Sequence, residues 1–467
     1  MIKMLAKSSL FVLFAFQLLV ANSQRQPIGV FDSGTGGLTV LEAILTLDAF
    51  NNKTGKPGAD GIPDFTGEFF NYLADQANMP YGNYAAAGKT DFLKEQILRC
   101  MTFLAKDSTY QKRVEEKYIT YHKTTAKMLV VACNTATAYA LNDIKNLMGP
   151  SIPVVGVIDA GCKAALRFQQ KQKGTIGVFA TVGTVASNGY PKALEQLGAS
   201  LDMGQLSIVS QGGYGLAESI DRDWSFLADQ VSKPRSEYKG PSLTNAKYPI
   251  DPTLTSVYGF VSTGNSLLCE FDDKGKCTEM QLNDPVNYVR YHLVSLLEKM
   301  KKEHYRLPLN TLILGCTHYP FLIDTISSVL KELYDFKDVS GYRYRGVLAS
   351  KVELIDPAIE TAKEAYLALR NLPKPTSVST GSMLTQQDAF YIAVPNLELN
   401  EIKLQPDGWF TYEYKYGRSL GSGTKYVQFV PFDRNNIAQA TYDRFKRVLP
   451  GAYHRMVKAG VEGTQIR

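Results

Sequence analysis

Cys133, in the stretch Met128 to Ala138 (MLVVACNTATA), and Cys316, in Leu312 to Pro320 (LILGCTHYP), are the residues whose setting could do chemistry. Each ends an apolar run of four or five residues that reads as a fully buried strand, with small polar residues and a helical pattern behind it. Open α/β sheets bind ligands at the carboxyl ends of their strands, and the N–H groups that open the next helix favour a thiolate. A lone cysteine in such a place is more often a small buried hydrophobe. Two in matching contexts point to a pair of acid/base groups facing each other across a cleft.

The elements that must position these thiols also come in pairs. A first strand, Ile28 to Phe31, leads into Asp32-Ser33-Gly34-Thr35-Gly36-Gly37 and a helix from about Leu38. This glycine-rich turn predicts a nest of backbone N–H groups able to hold a phosphate or a carboxylate; it lacks the Walker lysine and the spacing of a dinucleotide fingerprint. Residues Ile176 to Phe179 repeat the Ile-Gly-Val-Phe of 28 to 31, and Thr181, Gly183 and Thr184 then open another helix. Val157-Ile158-Asp159-Ala160 likewise pairs with Leu354-Ile355-Asp356-Pro357-Ala358. Three elements thus recur in one order: IGVF, a strand ending in Cys, then Ile-Asp and a helix. Two similar parallel-sheet α/β halves related by duplication are the simplest account.

Spacing between the repeats grows along the chain, and the excess marks insertions. Lys53 to Pro63 reads as a loop, Asp107 to Lys127 as a charged helical stretch, and Asp223 to about Asp284 as a breaker-rich insertion with short β-like runs such as Ser256 to Ser262. From about residue 372 the composition shifts. Phe390 to Val394, Phe410 to Tyr416 and Tyr426 to Phe432 read as strands, and Asn436 to Val448 as an amphipathic helix. All of this reads as appended surface structure. The expected division is a leader over 1–23, a first domain over 24–157 completed by 357–467, and a second over 158–356 carrying the insertion at about 223–284.

Lys3 and Lys7, an apolar run from Leu10 to Val20 broken only by Gln17, and Ala21-Asn22-Ser23 together read as a secretory signal peptide, too short to span a bilayer comfortably. Its removal leaves no stretch for stable membrane insertion, and the expected location is periplasmic or secreted, or cytoplasmic if the signal is unused. With 467 residues there is length for two domains. The net charge of +6 comes from scattered basic residues, which gives a solvated surface and no nucleic-acid stripe. Six cysteines in so long a chain do not form a disulfide framework. Cys269 and Cys277 flank the turn signal Asp272-Asp273-Lys274-Gly275 and could staple a hairpin, whereas Cys100 and Cys162 fall in helical patterns and read as buried hydrophobes. His122, His292, His304, His318 and His454 show no ligand spacing, so no metal is expected. No lysine has the setting of a pyridoxal phosphate Schiff base, and no cofactor is expected.

With these residues in view the chain resembles glutamate racemase, within the aspartate/glutamate racemase superfamily. The resemblance rests on IGVFDSGTGGLTVLEAI at 28 to 44, LADQANMPYG at 73 to 82, VVACNTATA at 130 to 138, PVVGVIDAG at 153 to 161, IGVFATVGTVASNGY at 176 to 190, LILGCTHYPFL at 312 to 322 and LIDPAIETA at 354 to 362. It implies two pseudo-symmetric α/β domains with the active site between them, a small-molecule substrate (glutamate), and D-glutamate made for peptidoglycan; it admits a homodimer. Carried over by position, Cys133 and Cys316 match the two catalytic cysteines. Asp32, Ser33, Tyr81, Gly82, Asn134, Thr135, Thr184, Thr317 and His318 fall on substrate-contacting or assisting positions. Asp75 matches an aspartate ahead of the Pro-Tyr-Gly turn, and Glu218 an assisting glutamate. The block before Glu218 departs from the family: Ser210-Gln211 and a pair of glycines stand where Cys-Pro is usual.

Racemisation removes a weakly acidic Cα proton from one face and returns one to the other, which suits one thiolate and one thiol that exchange roles. Helix N-termini and His318 would enlarge the thiolate fraction, with Asp32, Glu218 and His318 shuttling protons. An aspartate or broader amino-acid racemase of the same superfamily is the nearest alternative. An exported amino-acid-binding protein without turnover is the alternative from another class.

Overall fold

The computed structural model describes residues 26–114, 117–220, 222, 224–372, 387–405, 408–422 and 426–464. The expected signal peptide lies outside the described residues. The chain divides into two compact units, one running up to Val157 and resuming at Ala358, the other Ile158–Pro357. Their principal strands, in chain order, are β1 (Ile28–Asp32), β2 (Phe70–Ala74), β3 (Met128–Val131), β4 (Val154–Gly156), β5 (Thr175–Ala180), β6 (Ser207–Gly212), β7 (Leu309–Gly315), β8 (Leu348–Ile355), β9 (Ala389–Pro395) and β10 (Val427–Pro431).

The first unit is built on one sheet of order β10-β9-β2-β1-β3-β4, parallel except for β9 against β10. The runs IGVFD, FNYLA and MLVV are buried along their whole length, as a parallel sheet covered on both faces requires. Alternate residues feed two cores. Val30, Tyr72 and Val130 pack with the helices Leu38–Thr46, Pro357–Arg370 and Pro450–Lys458, while Phe31, Leu73 and Val131 pack with Thr90–Ala105 and Asn134–Met148.

The second unit holds a four-stranded parallel sheet of order β8-β7-β5-β6. Its strands correspond one for one with β4-β3-β1-β2, so the repeated IGVF strand lies beside the cysteine-bearing strand in both units. The register matches as well. Phe31 pairs with Val131, two residues before Cys133, and Phe179 pairs with Leu314, two residues before Cys316. The repeated glycine has one packing reason in both places: a Cβ on Gly29 would lie 2.7 Å from Leu129 Cδ2, and one on Gly177 would lie 2.6 Å from Leu312 Cδ1.

Four sequence expectations are corrected. The stretch 107–127 is an antiparallel hairpin, Ser108–Val114 with Lys117–Lys123, because its Tyr, Thr, Ile and Val residues suit strands better than its charges suit a helix. Phe410 to Tyr416 is mostly the helix Tyr412–Gly417, started by the Thr411 hydroxyl accepting from the Tyr414 N–H. Ser256 to Ser262 begins inside the short helix Thr255–Tyr258, ended by Gly259 at φ 57. The C-terminal segment is not appended surface: β9 adds in parallel to β2, and Phe390, Ile392, Val430 and Phe432 enter the core of the first unit. Cys269 and Cys277 are disulfide-bonded, Cα atoms 5.8 Å apart, across the hairpin Leu267–Phe271 and Cys277–Leu282. Cys100 and Cys162 are free and fully buried.

Overpacking a full core typically costs about 1–3 kcal/mol. Gly29→Ala and Gly177→Ala are therefore each expected to lose stability of that order in urea denaturation, Gly177→Ala more because its Cβ would also lie 2.7 Å from Leu309 Cδ1. An unchanged midpoint for both would show that the strand pairs do not need the glycines.

Candidate active site

In the first unit the end of β1 and the end of β3 deliver Asp32 and Cys133 side by side. Cys133 is 5% exposed and is the N-cap of the helix Asn134–Met148, its sulfur accepting from the Ala136 N–H at 3.4 Å. The thiol donates to Ser33 Oγ at 3.5 Å. Asp32 is 7% exposed, and its Oδ2 accepts from the N–H groups of Gly37 at 2.8 Å and Gly34 at 3.3 Å. Two donors of the glycine-rich nest are thus engaged by the chain's own carboxylate. Beneath the turn, the buried Tyr72 hydroxyl donates to the Gly34 carbonyl at 2.7 Å. Ser33, Asn134 and Thr135 are half-buried around the two groups.

Burial raises the Asp32 carboxyl above its ordinary range, against hydrogen bonds from the Gly37, Ser33 and Gly34 backbone and from the Cys133 thiol. Burial first, and the Asp32 charge second, push the Cys133 thiol up to about 12. The expectation that the helix N-terminus enlarges the thiolate fraction is therefore reversed at Cys133: loss of solvation outweighs the donors from Ser33 and Ala136.

The Pro-Tyr-Gly turn follows β2. Tyr81 is buried and its hydroxyl donates to Asp75 Oδ2 at 2.6 Å; Asp75, fully buried, also accepts twice from Asn78 Nδ2 at 3.0 Å and faces Arg99 at 3.5 Å. The Tyr81 hydroxyl is thus engaged within its own turn. Gly82 opens the short helix Gly82–Ala86.

In the second unit Cys316, 6% exposed, stands at the end of β7 with the His318 Nδ1 3.8 Å away. That nitrogen is also 3.4 Å from Thr317 Oγ1, and the tautomer decides which group donates. Position 180, which corresponds to Asp32, is alanine, so the IGVF strand of the second unit brings no carboxylate to its end; Asp356 follows β8 on the other side of β7, and burial together with the charges of Cys162, Asp356 and Cys316 raises the Tyr190 hydroxyl. Glu218 lies on the helix Leu216–Ile220. Burial raises the Tyr319 hydroxyl, and the charges of Cys316 and Glu218 raise it further, so one tyrosine feels both groups. Tyr319 donates to the Gly213 carbonyl at 3.2 Å, and any side chain at 213 would collide with its hydroxyl. Of the glycine pair that departs from the family block, Gly213 thus makes room for Tyr319. Thr184 is buried near the start of the helix Val182–Ala186; its N–H donates to Thr181 Oγ1 at 3.2 Å, and its hydroxyl oxygen accepts from the Thr181 hydroxyl at 3.0 Å.

Comparison with known proteins adds an independent line. A model of the Asp/Glu/Hydantoin racemase family matches residues 105–211. A glutamate racemase of Sulfurihydrogenibium sp. (strain YO3AOP1) is 32% identical over 307 residues, 66% of this chain and 76% of that protein. The chain belongs to the glutamate racemase family. A second glutamate racemase, of Levilactobacillus brevis, is 27% identical over 349 residues, 74% of this chain and 80% of its own length. Among solved structures, the glutamate racemase isoform RacE1 of Bacillus anthracis aligns over 79% of this chain and 88% of its own, at 23% identity and a TM-score of 0.42.

Tyr72, Asn78, Arg99 and Tyr319 belong to these two constellations and were not legible as site residues in the sequence. Tyr319, in GCTHYP, and Asn78, in QANMPYG, fall inside glutamate racemase blocks; Tyr72 and Arg99 carry no local signal.

The buried thiol gives a direct test. Alkylation of Cys133 by iodoacetamide, followed by peptide mass spectrometry, is expected to quicken about tenfold per pH unit between about 8 and 10, since the reactive thiolate is a small fraction throughout. Asp32→Asn keeps an acceptor for Gly37 but removes the charge that raises the thiol. At fixed pH it is expected to speed alkylation several-fold, to about tenfold. A slower or unchanged rate would show that the Asp32 charge does not govern Cys133.

Proposed function

We propose that the chain interconverts L- and D-glutamate without a cofactor, with Cys133 and Cys316 as the two proton-transfer groups, and that the D-glutamate serves peptidoglycan synthesis. The observation that carries this reading is the equivalence of the two cysteines. Each ends the strand beside an IGVF strand, in the same register, in sheets of the same order. Membership of the glutamate racemase family gives that equivalence its reaction.

One thiolate takes the Cα proton and becomes a thiol; the other thiol gives its proton to the opposite face of the carbanion and becomes a thiolate. The pair is left in the state suited to the reverse reaction, so both directions run on the same groups. Asp32 accepts or returns a proton at Cys133, and Glu218 and His318 do so on the side of Cys316. The resting Cys133 thiol suits the donor role, and the ammonium of an incoming amino acid supplies positive charge that favours the thiolate. Ser33, Asn134, Thr135, Thr184 and Thr317 offer hydroxyl and amide groups to the substrate carboxylates, and the turn at Tyr81 and Gly82 offers its backbone.

Purified protein incubated with L-glutamate is expected to lose optical rotation, and L-aspartate to remain unchanged under the same conditions. Turnover of aspartate alone would replace the substrate, and turnover of neither would end the enzyme reading. Cys133→Ser and Cys316→Ser should each lower the rate by about 10²–10⁴, the usual range for a positioned acid/base group, with folding unchanged by circular dichroism.

We also propose export. The Met1 to Ser23 pattern and the Cys269–Cys277 disulfide support it. The mature protein is then expected to begin near Gln24 by N-terminal sequencing, with Cys269 and Cys277 paired and Cys133 and Cys316 still alkylated as free thiols. An intact N-terminus with all six cysteines reduced would place the protein in the cytoplasm.

A further inference from the structure

Beyond the packing of β9 and Phe410 against Gln76 to Asn78, the C-terminal segment reaches the Pro-Tyr-Gly turn through a short helix. The helix Tyr412–Gly417 and the residue after it touch that turn at successive points. Lys415 Nζ donates to the Met79 carbonyl at 2.6 Å, and the Tyr416 hydroxyl donates to the Pro80 carbonyl at 3.1 Å while accepting from Asn83 Nδ2 at 3.2 Å. Arg418 goes deepest. It is 7% exposed, and its Nη2 donates to Asn78 Oδ1 at 2.5 Å and to the Tyr84 hydroxyl at 3.2 Å.

Asn78 is where this contact becomes consequential. Its oxygen is held by Arg418 and, more weakly, by the Tyr84 hydroxyl at 3.4 Å, which Arg418 itself contacts, so its amide nitrogen faces Asp75, donating to both carboxylate oxygens at 3.0 Å. Asp75 in turn accepts from the Tyr81 hydroxyl at 2.6 Å. A continuous chain therefore runs from Arg418 through Asn78 and Asp75 to Tyr81. The Arg418 guanidinium is fixed from its other side by the rings of Phe410 and Phe92, 4.6 and 5.4 Å from their centroids. A turn carrying substrate contacts is naturally mobile unless its polar groups are tied down, and buried charge-assisted hydrogen bonds are the strong ties.

We propose that Arg418, assisted by Lys415 and Tyr416, is a positioning residue for the turn Asn78 to Tyr84, and that through it the C-terminal segment sets the affinity for substrate. The proposal rests on the reading of the chain as a glutamate racemase whose substrate meets the turn at Tyr81 and Gly82. Arg418 touches no reacting atom in this account. Its removal lets Asn78 rotate, unhooks Asp75 from its amide, and loosens Tyr81.

The test is kinetics of glutamate racemisation combined with hydrogen exchange of the unliganded full chain. Arg418→Ala is expected to raise KM for L-glutamate about tenfold or more, the scale of a charge-assisted hydrogen bond, with kcat changed less than about threefold, and to speed amide exchange across residues 78 to 84. Arg418→Lys, which keeps the charge without the planar fork, should recover part of both. A folded Arg418→Ala protein with unaltered KM and unaltered exchange at the turn would overturn the proposal. If that variant does not fold, Tyr416→Phe, which removes a single hydroxyl, must shift KM and exchange in the same direction or the proposal fails. A wild-type protein inactive on glutamate would sink the racemase reading instead, and the exchange measurement would still decide whether Arg418 holds the turn.

Discussion

The structure depends on the close approach of two parallel strands at a glycine. Gly29 and Gly177 each let a leucine of the neighbouring strand lie where a Cβ would otherwise be, and that leucine is four residues before a cysteine in both units. Because parallel register is fixed by such contacts, the end of β3 falls beside the end of β1, and the end of β7 beside the end of β5. The strand-to-helix turns that follow then bring Ser33 within reach of Cys133. Chemistry at the strand ends is thus a consequence of packing several residues below it.

On this shared frame the two units have diverged electrically. The first spends its strand-end position on Asp32, whose carboxylate is tied to its own glycine turn and raises the adjacent thiol. The second places Ala180 there, and its ionisable groups arrive from elsewhere, His318 two residues beyond Cys316 and Glu218 from a separate short helix sensed through Tyr319. A duplicated fold therefore supplies two thiols with equal geometry and unequal partners. Unequal partners suit the proposed proton exchange, because during turnover one sulfur must hold a proton that the other lacks.

How much of this was legible follows from the range of the interactions. Short, fully apolar runs such as MLVV and LILG, flanked by small polar residues, read as buried strands, and their repetition beside IGVF made both the α/β class and the cysteine pair readable. Local misreadings arose where two local forces compete: Tyr110, Tyr118, Ile119 and Tyr121 against interspersed charges in the 108–123 hairpin, and aromatic strand propensity against the Thr411 cap at 412–417. The direction of the Cys133 shift was misjudged because a helix N-terminus is visible in sequence and the depth of burial is not. Arg418 was beyond reach, since nothing near it in sequence announces a partner at Asn78.

The same burial bears on how a thiol pair could survive outside a reducing compartment. Oxidation and disulfide exchange proceed through the thiolate. A thiol that burial pushes up to about 12 is ionised at neutral pH far less than a free cysteine. Cys133 is in addition only 5% exposed, and the ladder of sulfur oxidation starts from accessible thiolates. Cys269 and Cys277, whose Cα atoms the hairpin holds at 5.8 Å, have a partner within bonding reach and are paired, whereas Cys100, Cys133, Cys162 and Cys316 are buried and free. At Cys133, therefore, the burial that disfavours the thiolate also keeps the sulfur reduced, and the ammonium of an arriving amino acid would restore part of the thiolate.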